Sequence, residues 1–431
     1  MLKAVVLAAG EGVRLRPLTL TRPKHLIPIG GRPLLHHTLS ALKTAGIEEV
    51  FLVVGYRREQ INAAIGNGSE LGLKVSYGEQ PVAAGTGDAI SVARDYVGGE
   101  DFLAVYGDLY IDSTVISKVL EAYKKRNVSV LAVVRVERPE DYGVVKLRKD
   151  GCIEDLVEKP QKGFAPTNLA NAGVYVFASH IFEDIRRVRR SPRGEVEVTD
   201  AIKMAAGRGE AIYAVEVSRD VWMDIGRPWD LLEANERYLA KMEHSVEGVV
   251  EKGVHVIGRL QLEEGAVVKS GTYIEGPVFI GGDSQIGPNC YIRPFSSLGR
   301  GVKVGNGCEV KNSIILDRTH IPHLSYVGDS IIGADCNLGA GTMVGNIRFD
   351  EKTVKTVIKG EIVDSGRRKL GAVIGDDVKT GINANLMPGV KVGPNCHIGA
   401  NVVVYRDIPP NIKVRVNQHL IFEDLKSQIP E

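Results

Sequence analysis

The sequence lacks several features that would assign it to particular classes of protein. Aromatic residues make up only 6% of its 431 residues, and its five cysteines are an odd number without a paired spacing. We therefore expect reduced, buried cysteines rather than a disulfide framework. Lysine and arginine number 54 against 53 aspartates and glutamates, a formal net charge of +1. The balance provides no global field for binding nucleic acid or an anionic membrane, so small-molecule ligands are favoured.

Long apolar runs are also missing. No run approaches the length of a transmembrane helix, and Met1 to Leu7 lead directly into Gly-rich sequence without a signal-cleavage pattern. We therefore expect a cytoplasmic protein. At 431 residues the chain exceeds what one hydrophobic core usually organises, so two domains are predicted.

An aliphatic residue recurs at every sixth position over much of the second half of the chain. The first run consists of Leu262, Val268, Ile274, Ile280, Ile286, Ile292, Leu298, Val304, Val310 and Leu316. After a predicted register slip the period resumes at Ile332, Leu338 and Val344, and it returns from Ile374 to Val404 with Thr380 as an interruption. Helices repeat every three to four residues and strands every two, so a period of six predicts a triangular coil, a left-handed parallel β-helix.

The first half of the chain has a different pattern. Short β-rich runs alternate with helical stretches, which predicts an α/β, Rossmann-like domain with a mostly parallel sheet. The clearest predicted strands are 5–7, 50–54, 102–106 and 128–134, and the clearest helices are 34–45, 113–125 and 229–243. The predicted organisation is a domain over 1–230, a helical connector over 231–248, a β-helix over 249–407 and a C-terminal cap or tail over 408–431. The charged segment 345–373 is predicted to loop out of the coil.

A Gly-rich turn follows the first predicted strand, at Gly10-Glu11-Gly12-Val13-Arg14. Small residues there let backbone N–H groups approach a polyphosphate, and Arg14 and Lys24 supply positive charge. Such a turn is weak evidence by itself, since most Gly-rich turns only change the chain direction. It lacks the third glycine of a dinucleotide fingerprint, which disfavours hydride transfer.

Two aspartates follow predicted strands, Asp108 after 102–106 and Asp224 after Trp222-Met223. Two carboxylates at strand ends are suited to holding Mg²⁺ against phosphate oxygens. An isolated aspartate more often ends a strand or caps a helix, so each one taken singly is ambiguous.

Together with Glu158-Lys159-Pro160 and Trp222 to Gly226, these motifs resemble the sugar-1-phosphate nucleotidylyltransferases. The resemblance implies that a sugar-1-phosphate attacks the α-phosphorus of UTP or dTTP and releases pyrophosphate. It assigns the triphosphate and catalysis to Arg14 and Lys24, the metal Mg²⁺ to Asp108 and Asp224, the nucleotide to Gly10, Gly12, Gln80, Gly85 and Tyr106, and the sugar phosphate to Gly143, Glu158, Lys159 and Asn171. The first half resembles the thymidylyl-transferring members at least as closely as the uridylyl-transferring ones.

The β-helix carries a second resemblance. The segment His320 to Asp329, with Arg293-Pro294 and Asn337 to Thr342, is similar to the acetyltransferase half of bacterial bifunctional N-acetylglucosamine-1-phosphate enzymes. This implies that His323 takes a proton from the amine of glucosamine-1-phosphate as the amine attacks acetyl-CoA. The implied substrate contacts are Arg293, Lys311, Tyr326, Asn337 and Asn346. A homotrimer is also implied, with the acetyl site between subunits.

The chain departs from that second family where Asn346-Ile347-Arg348-Phe349 replaces Asn-Tyr-Asp-Gly, so an aromatic contact is absent. His320 is a competing candidate for the base. Three interpretations of the whole chain therefore stand: a bifunctional enzyme, a glucose-1-phosphate thymidylyl- or uridylyltransferase whose coil only trimerises, and a non-catalytic regulatory or scaffold relative.

Overall fold

The computed structural model describes residues 2–191 and 194–423. The chain folds into two compact units. The N-terminal unit holds residues up to His244 together with Pro277–Ile280 and Ile358–Glu361, and the C-terminal unit holds the other described residues. Residues 424–431 of the predicted cap or tail lie outside the described residues.

A nine-stranded sheet forms the centre of the N-terminal unit. The strands of this unit are β1 (Lys3–Ala8), β2 (Pro28–Ile29), β3 (Arg32–Pro33), β4 (Glu49–Val54), β5 (Lys74–Glu79), β6 (Phe102–Tyr106), β7 (Leu109–Ile111), β8 (Ser129–Arg135), β9 (Gly143–Leu147), β10 (Ile153–Glu158), β11 (Leu169–Phe177), β12 (Ile212–Val217) and β13 (Trp222–Asp224). The main path runs β10-β9-β11-β6-β1-β4-β5, with β8 beside β11 and β12 beside β8, while β7 pairs with β13 and β2 with β3 in separate two-stranded sheets.

The four clearest predicted strands are confirmed, but the prediction of a mostly parallel sheet is wrong for one half of it. Strands β5, β4, β1 and β6 are parallel neighbours. Strand β11 runs antiparallel to β6, β8 and β9, and β9 runs antiparallel to β10. All nine residues of β11 are buried, so its apolar character resembled that of a buried parallel strand.

Helices cover this sheet. They are α1 (Leu34–Thr44), α2 (Arg58–Ile65), α3 (Thr86–Ser91), α4 (Arg94–Val97), α5 (Ser113–Arg126), α6 (Ile181–Arg187), α7 (Val198–Gly207) and α8 (Pro228–Lys241). Short 3₁₀ turns occupy Val13–Leu15, Leu18–Leu20, Lys24–Leu26, Ser69–Leu71, Pro139–Asp141 and Arg219–Val221. The predicted helices are present as α1, α5 and α8. Within the described residues, no helix combines the length and apolar character that a membrane span needs.

The C-terminal half forms three parallel sheets whose strands succeed one another in turn, which is the predicted β-helix. The first sheet contains Ser245–Val246, Leu260–Leu262, Val278–Ile280, Ser296–Leu298, Ile314–Ile315, Ile331–Ile332, Val373–Ile374 and Lys391–Val392. The second contains Val249–Val250, Val267–Val268, Gln285–Ile286, Lys303–Val304, His320–Ile321, Asn337–Leu338, Lys379–Thr380, His397–Ile398 and Lys413–Val414. The third contains His255–Ile257, Tyr273–Glu275, Tyr291–Ile292, Glu309–Lys311, Tyr326–Gly328, Met343–Val344, Asn385–Leu386 and Val403–Val404.

Register in the sheets corrects the predicted slip after Leu316. Leu298 pairs with Ile315, so the coil already loses a residue before Leu316. Val304 pairs with Ile321 and Val310 with Val327, and all four residues are buried. The segment 320–329 therefore keeps its inward aliphatic residues and is not itself a break in the period. Sequence spacing missed this because the buried Leu316 follows Ile315 directly and preserves an apparent step of six.

The predicted excursion leaves the third sheet after Met343–Val344 and re-enters the first at Val373–Ile374. It carries two short strands of its own, Lys355–Ile358 and Glu361–Asp364, which form a two-stranded sheet. All five cysteines are reduced and buried, as predicted.

Candidate active sites

A cavity of about 320 Å³ opens in the N-terminal unit beside Asp108, which follows strand β6. Volumes of this size are typical of small-ligand sites. The wall contains these predicted residues: Gly10, Arg14, Lys24, Gln80, Gly85, Tyr106, Asp108, Gly143, Glu158, Lys159, Asn171 and Asp224. Gly12 is not part of the wall; its carbonyl accepts a hydrogen bond from the Thr19 hydroxyl at 3.0 Å. Gly12 has φ +71°, and an added Cβ would lie 2.9 Å from the Cβ of Lys24.

Positive and negative groups meet in the wall of this cavity. The ammonium of Lys24 pairs with the carboxylate of Asp108, and each side chain is 15% exposed. Burial opposes the charge of Asp108, but Lys24 and His25 hold its pKa below the ordinary value. A Cβ at Gly226 would lie 2.8–2.9 Å from three guanidinium atoms of Arg14. The guanidinium therefore rests against the backbone of Gly226, two residues after Asp224.

The charges around Asp224 indicate whether this site suits a divalent cation. Burial and the charge of Asp108 raise its pKa, and Arg14, Lys24 and Lys159 counteract part of that rise. The repulsion between the two partly buried carboxylates is the situation that a divalent cation relieves. In the part of the chain that the structure describes, no three His, Cys, Asp or Glu residues group as a metal site. Mg²⁺ bound with substrate phosphates usually takes only one or two protein carboxylates, so Asp108 and Asp224 fit it.

A second wall is rigid around Gln80 and Gly85. The Gln80 amide donates to the Asp88 carboxylate at 2.7 Å and to the Gly85 carbonyl at 3.1 Å. Gly85 has φ +108°, and a Cβ there would collide with the backbone of Val196. Only glycine fits this close approach, and the two hydrogen bonds hold the Gln80 amide in the cavity wall.

The opposite wall is held by a chain of hydroxyl groups. Asn171 donates through Nδ2 to the Tyr175 hydroxyl at 2.6 Å, and Tyr175 donates to the Tyr106 hydroxyl at 3.0 Å. Burial raises the pKa of both tyrosines well above the ordinary range, so both hydroxyls stay protonated at neutral pH. Glu158 accepts a hydrogen bond from Thr199 at 3.3 Å. Asn171 and Glu158 are therefore oriented before any ligand arrives.

Sequence reasoning missed several residues of the wall. These are Leu7, Ala9, His25, Ala83, Thr86, Ala89, Leu109, Asp141, Tyr142, Ala172, Glu195, Glu197 and Trp222. Trp222 stands inside the motif Trp222 to Gly226 and His25 directly follows Lys24, so their neighbours gave a signal. Thr86 and Glu197 lie 111 positions apart and join through a 3.1 Å hydrogen bond, for which spacing offers no signal.

The β-helix brings together three of the residues predicted for acetyl transfer. Asp329 accepts from the Lys311 ammonium at 3.0 Å and from the Asn346 amide at 2.6 Å. Asn346 also donates to the Tyr326 hydroxyl at 3.0 Å. Burial, then the charges of Asp329 and Glu309, raise the pKa of Tyr326. Asp329, which the sequence analysis did not select, therefore lies at the centre of this cluster.

Arg293 lies on the same face. It donates to Glu309 at 2.9 Å, and its guanidinium is 5.3 Å from the ring centroid of Tyr291. Glu309 is directly opposite Tyr326 in the third sheet, so the Arg293 pair borders the Asp329 cluster.

His323 and Asn337 occupy other positions. His323 is exposed in the turn between the second and third sheets, and its carbonyl accepts from the Gly341 N–H at 3.2 Å. Asn337 lies on the second sheet opposite His320, whereas Tyr326 lies on the third. Within one chain, the strand register therefore places Asn337 beside His320, the competing candidate for the base.

Family models match almost the whole of this architecture. The model for nucleotidyl transferases matches residues 3–241, that for the GMPPB C-terminal domain matches 274–387, and that for the bacterial transferase hexapeptide (six repeats) matches 371–406. The solved structure of a UDP-glucose pyrophosphorylase with UDP-glucose superposes with a TM-score of 0.51 at 27% identity, covering 56% of this chain and all of that one. The fold and the cavity thus define a nucleotidyl transferase domain joined to a left-handed hexapeptide β-helix.

Curated relatives match both units together. The bifunctional protein GlmU of Methanocaldococcus jannaschii is 44% identical over 98% of this chain and 100% of its own length. A bifunctional sugar-1-phosphate nucleotidylyltransferase/acetyltransferase of Sulfurisphaera tokodaii is 41% identical over 94% of this chain and 98% of its own length. The chain belongs to this family of bifunctional sugar-1-phosphate nucleotidylyltransferases/acetyltransferases.

Proposed function

We propose that the chain transfers the acetyl group of acetyl-CoA to glucosamine-1-phosphate and then a nucleotidyl group from UTP or dTTP to the N-acetylated product. The observation that carries the first step is the Asp329-centred group of Lys311, Tyr326 and Asn346 on a coil matched by bifunctional relatives. The second step is supported by the paired cations and carboxylates of the N-terminal cavity. One site would make the substrate of the other.

In nucleotidyl transfer the protein acts by positioning and neutralisation. Arg14 and Lys24 offset the charge of the triphosphate and of the leaving pyrophosphate, while Glu158, Lys159 and Asn171 orient the sugar phosphate. Asp108 and Asp224 would hold Mg²⁺, whose charge supplies further stabilisation of the phosphate oxygens. An oxygen of the sugar phosphate attacks the α-phosphorus and pyrophosphate departs, so no protein nucleophile is required.

In acetyl transfer the amine nitrogen attacks the thioester carbonyl carbon, and the carbon–sulfur bond breaks to release the CoA thiol. His323 would accept the proton that the amine loses, since histidine is the side chain that most often serves as a general base. Arg293 and Lys311 would hold the phosphate, and Tyr326, Asn337 and Asn346 the amino sugar.

A homotrimer is part of this proposal. His323 lies in a turn and Asn337 on the second sheet, and both are exposed in the single chain, so a neighbouring subunit would complete the site around them. Light scattering on the purified chain should give three times the 46.7 kDa subunit mass. A monomer would contradict a shared site.

Thiol release from acetyl-CoA with glucosamine-1-phosphate tests the acetyl half. We expect turnover in wild type and in His320→Ala, and its loss in His323→Ala, with pyrophosphate release intact in all three. The reverse pattern would make His320 the base. No turnover in wild type, tried also with galactosamine-1-phosphate, would favour the alternative in which the β-helix only trimerises.

Pyrophosphate release tests the nucleotidyl half and its base preference. Wild type is assayed with Mg²⁺, N-acetylglucosamine-1-phosphate or glucose-1-phosphate, and either UTP or dTTP. No release with any pair would favour a non-catalytic relative. The predicted cytoplasmic location stays a prediction.

A further inference from the structure

Asp329 is a buried carboxylate that accepts hydrogen bonds from three side chains. It follows the strand Tyr326–Gly328 and is 2% exposed. Its oxygens accept hydrogen bonds from the Lys311 ammonium at 3.0 Å, the Asn312 amide at 2.9 Å and the Asn346 amide at 2.6 Å. A buried carboxylate is tolerated only when it is paired in this way, so its position and those of its donors are mutually fixed.

These bonds determine which way the Asn346 amide faces. A primary amide has two N–H donors and one oxygen acceptor. Asn346 uses Nδ2 toward both the Asp329 carboxylate and the Tyr326 hydroxyl, at 2.6 and 3.0 Å. Its Oδ1 is therefore turned away from Asp329, and no donor of residues 2–191 or 194–423 is hydrogen-bonded to it. The Tyr326 oxygen accepts from Asn346, which leaves its own proton to be donated.

The space around this group is closely filled. A Cβ at Gly328 would lie 2.8 Å from Nδ2 of Asn346 and would overlap the Tyr326 hydroxyl. Both side chains therefore already lie against the backbone of Gly328, in space that any residue with a Cβ would fill. The Lys311 side chain is 18% exposed, so its ammonium is held by Asp329 and still reaches the surface of the coil.

We infer that Asp329 is a positioning residue for the amino-sugar phosphate. It sets the ammonium of Lys311 toward the phosphate and presents Oδ1 of Asn346 as the acceptor for an N–H or O–H group of the sugar. The inference rests on the proposed acetyl transfer and adds the group that prepares that site before substrate binds. If the role of Asp329 were purely structural, its substitution would affect folding of the coil and would not selectively change the KM for the amino-sugar phosphate.

The test is Asp329→Asn in the full chain. Asparagine suits the left-handed backbone here, φ +50°, and has nearly the same shape. It carries no charge for Lys311, and its single acceptor oxygen cannot serve all three donors. We expect the KM for glucosamine-1-phosphate to rise about tenfold or more, because a charge-assisted hydrogen bond contributes that much to binding. The KM for acetyl-CoA and the rate of pyrophosphate release should not change.

The matched control is Asp335→Asn. Asp335 also has a left-handed backbone, φ +58°, and pairs with Arg318 at 2.7 Å on the exposed side of the coil. The control should retain all kinetic constants. Asp329→Asn would overturn the inference if it left the glucosamine-1-phosphate KM unchanged. The inference would also be overturned if Asp329→Asn lowered the melting temperature and impaired every kinetic constant together.

Equilibrium titration with glucosamine-1-phosphate, without acetyl-CoA, separates the inference from the proposed function. If wild type transfers no acetyl group, that result contradicts the proposed function and leaves the role of Asp329 to the titration. Equal binding by wild type and Asp329→Asn, or binding by neither, contradicts the role of Asp329. Binding that is weaker in Asp329→Asn than in Asp335→Asn supports it.

Discussion

A single residue without a side chain, Gly226, leaves the space that Arg14 of the N-terminal cavity occupies. Gly226 has no positive φ, so an added side chain would cause no backbone strain there. The space for its Cβ is occupied by the guanidinium of Arg14. The absence of a side chain at Gly226 thus determines where Arg14 lies.

Gly226→Ala is expected to displace Arg14 and to reduce kcat/KM for nucleotidyl transfer about tenfold or more, since small misplacements of catalytic groups have large effects. The flexible end of Arg14 can move aside, so the melting temperature should change little. Gly207→Ala is the control, because nothing lies within 4 Å of a Cβ at Gly207. Equal activity of both variants would show that the position of Arg14 does not matter.

At the scale of elements, β11 supplies part of the cavity wall to which we assign the sugar phosphate in the proposed function. This strand carries both Asn171 and Tyr175, and a register shift between them coincides with Gly173, φ +71°. A Cβ at Gly173 would lie 2.7 Å from the Tyr106 ring. The irregular strand thus allows the Asn171–Tyr175–Tyr106 contact to form.

Tyr175→Phe removes the acceptor of the Asn171 amide. We expect a loss of about 1–3 kcal/mol in the free energy of unfolding, the usual effect of leaving a buried donor unpaired. The KM for the sugar phosphate should also rise. Tyr123→Phe loses a comparable 2.6 Å hydrogen bond, in which Tyr123 of α5 donates to Asp101, away from the cavity. The control should lose stability only, and an unchanged sugar-phosphate KM in both would contradict the role of the hydroxyl chain.

At the scale of the whole molecule, the two proposed activities use separate sets of residues. We therefore expect Asp108→Asn to reduce pyrophosphate release by about two orders of magnitude and to leave acetyl transfer unchanged. Asp112→Asn is the control, since Asp112 caps α5 by accepting from Thr114 and asparagine caps helices as well. Loss of both activities in Asp108→Asn would contradict independent sites.

Stability should also depend on pH through His25. Burial, with the charge of Lys24, lowers the pKa of His25 to about 3, against an opposing effect of Asp108. The unfolded chain binds a proton at this position below about pH 6.5 and the folded chain does not, so stability falls as pH decreases from 6.5 toward 3. The contribution reaches about 1.4 kcal/mol per pH unit.

Denaturant unfolding between pH 7.5 and 4.5 measures this dependence. Both tryptophans, Trp222 and Trp229, lie in the N-terminal unit, so their fluorescence reports on that unit. His25→Gln should show a flatter slope of unfolding free energy against pH than wild type. His180→Gln, at an exposed histidine, should keep the wild-type slope. An equal slope in His25→Gln and wild type would contradict the assignment to His25.

The sequence by itself determined the β-helix, the α/β class and nearly half of the residues in the wall of the N-terminal cavity. The β-helix and the α/β class follow from local pattern, whereas the wall residues follow from the resemblance to the sugar-1-phosphate nucleotidylyltransferases. The recurrence of an aliphatic residue at every sixth position requires a triangular coil. Gly10, Arg14 and Lys24 lie within one short stretch after the first strand.

Only the tertiary structure decided the direction of β11, the register of Ile315, and the partners of Tyr175 and Asp329. Asp329 meets Lys311 across 18 residues, and Tyr175 meets Tyr106 across 69. Asp329 ends the segment that carries the second resemblance, but its sequence neighbourhood does not identify its partners, and that of Tyr175 does not distinguish it from an ordinary core residue. Pairings of this kind depend on which strands become neighbours, and that is settled by burial of the whole sheet or coil rather than by any short motif.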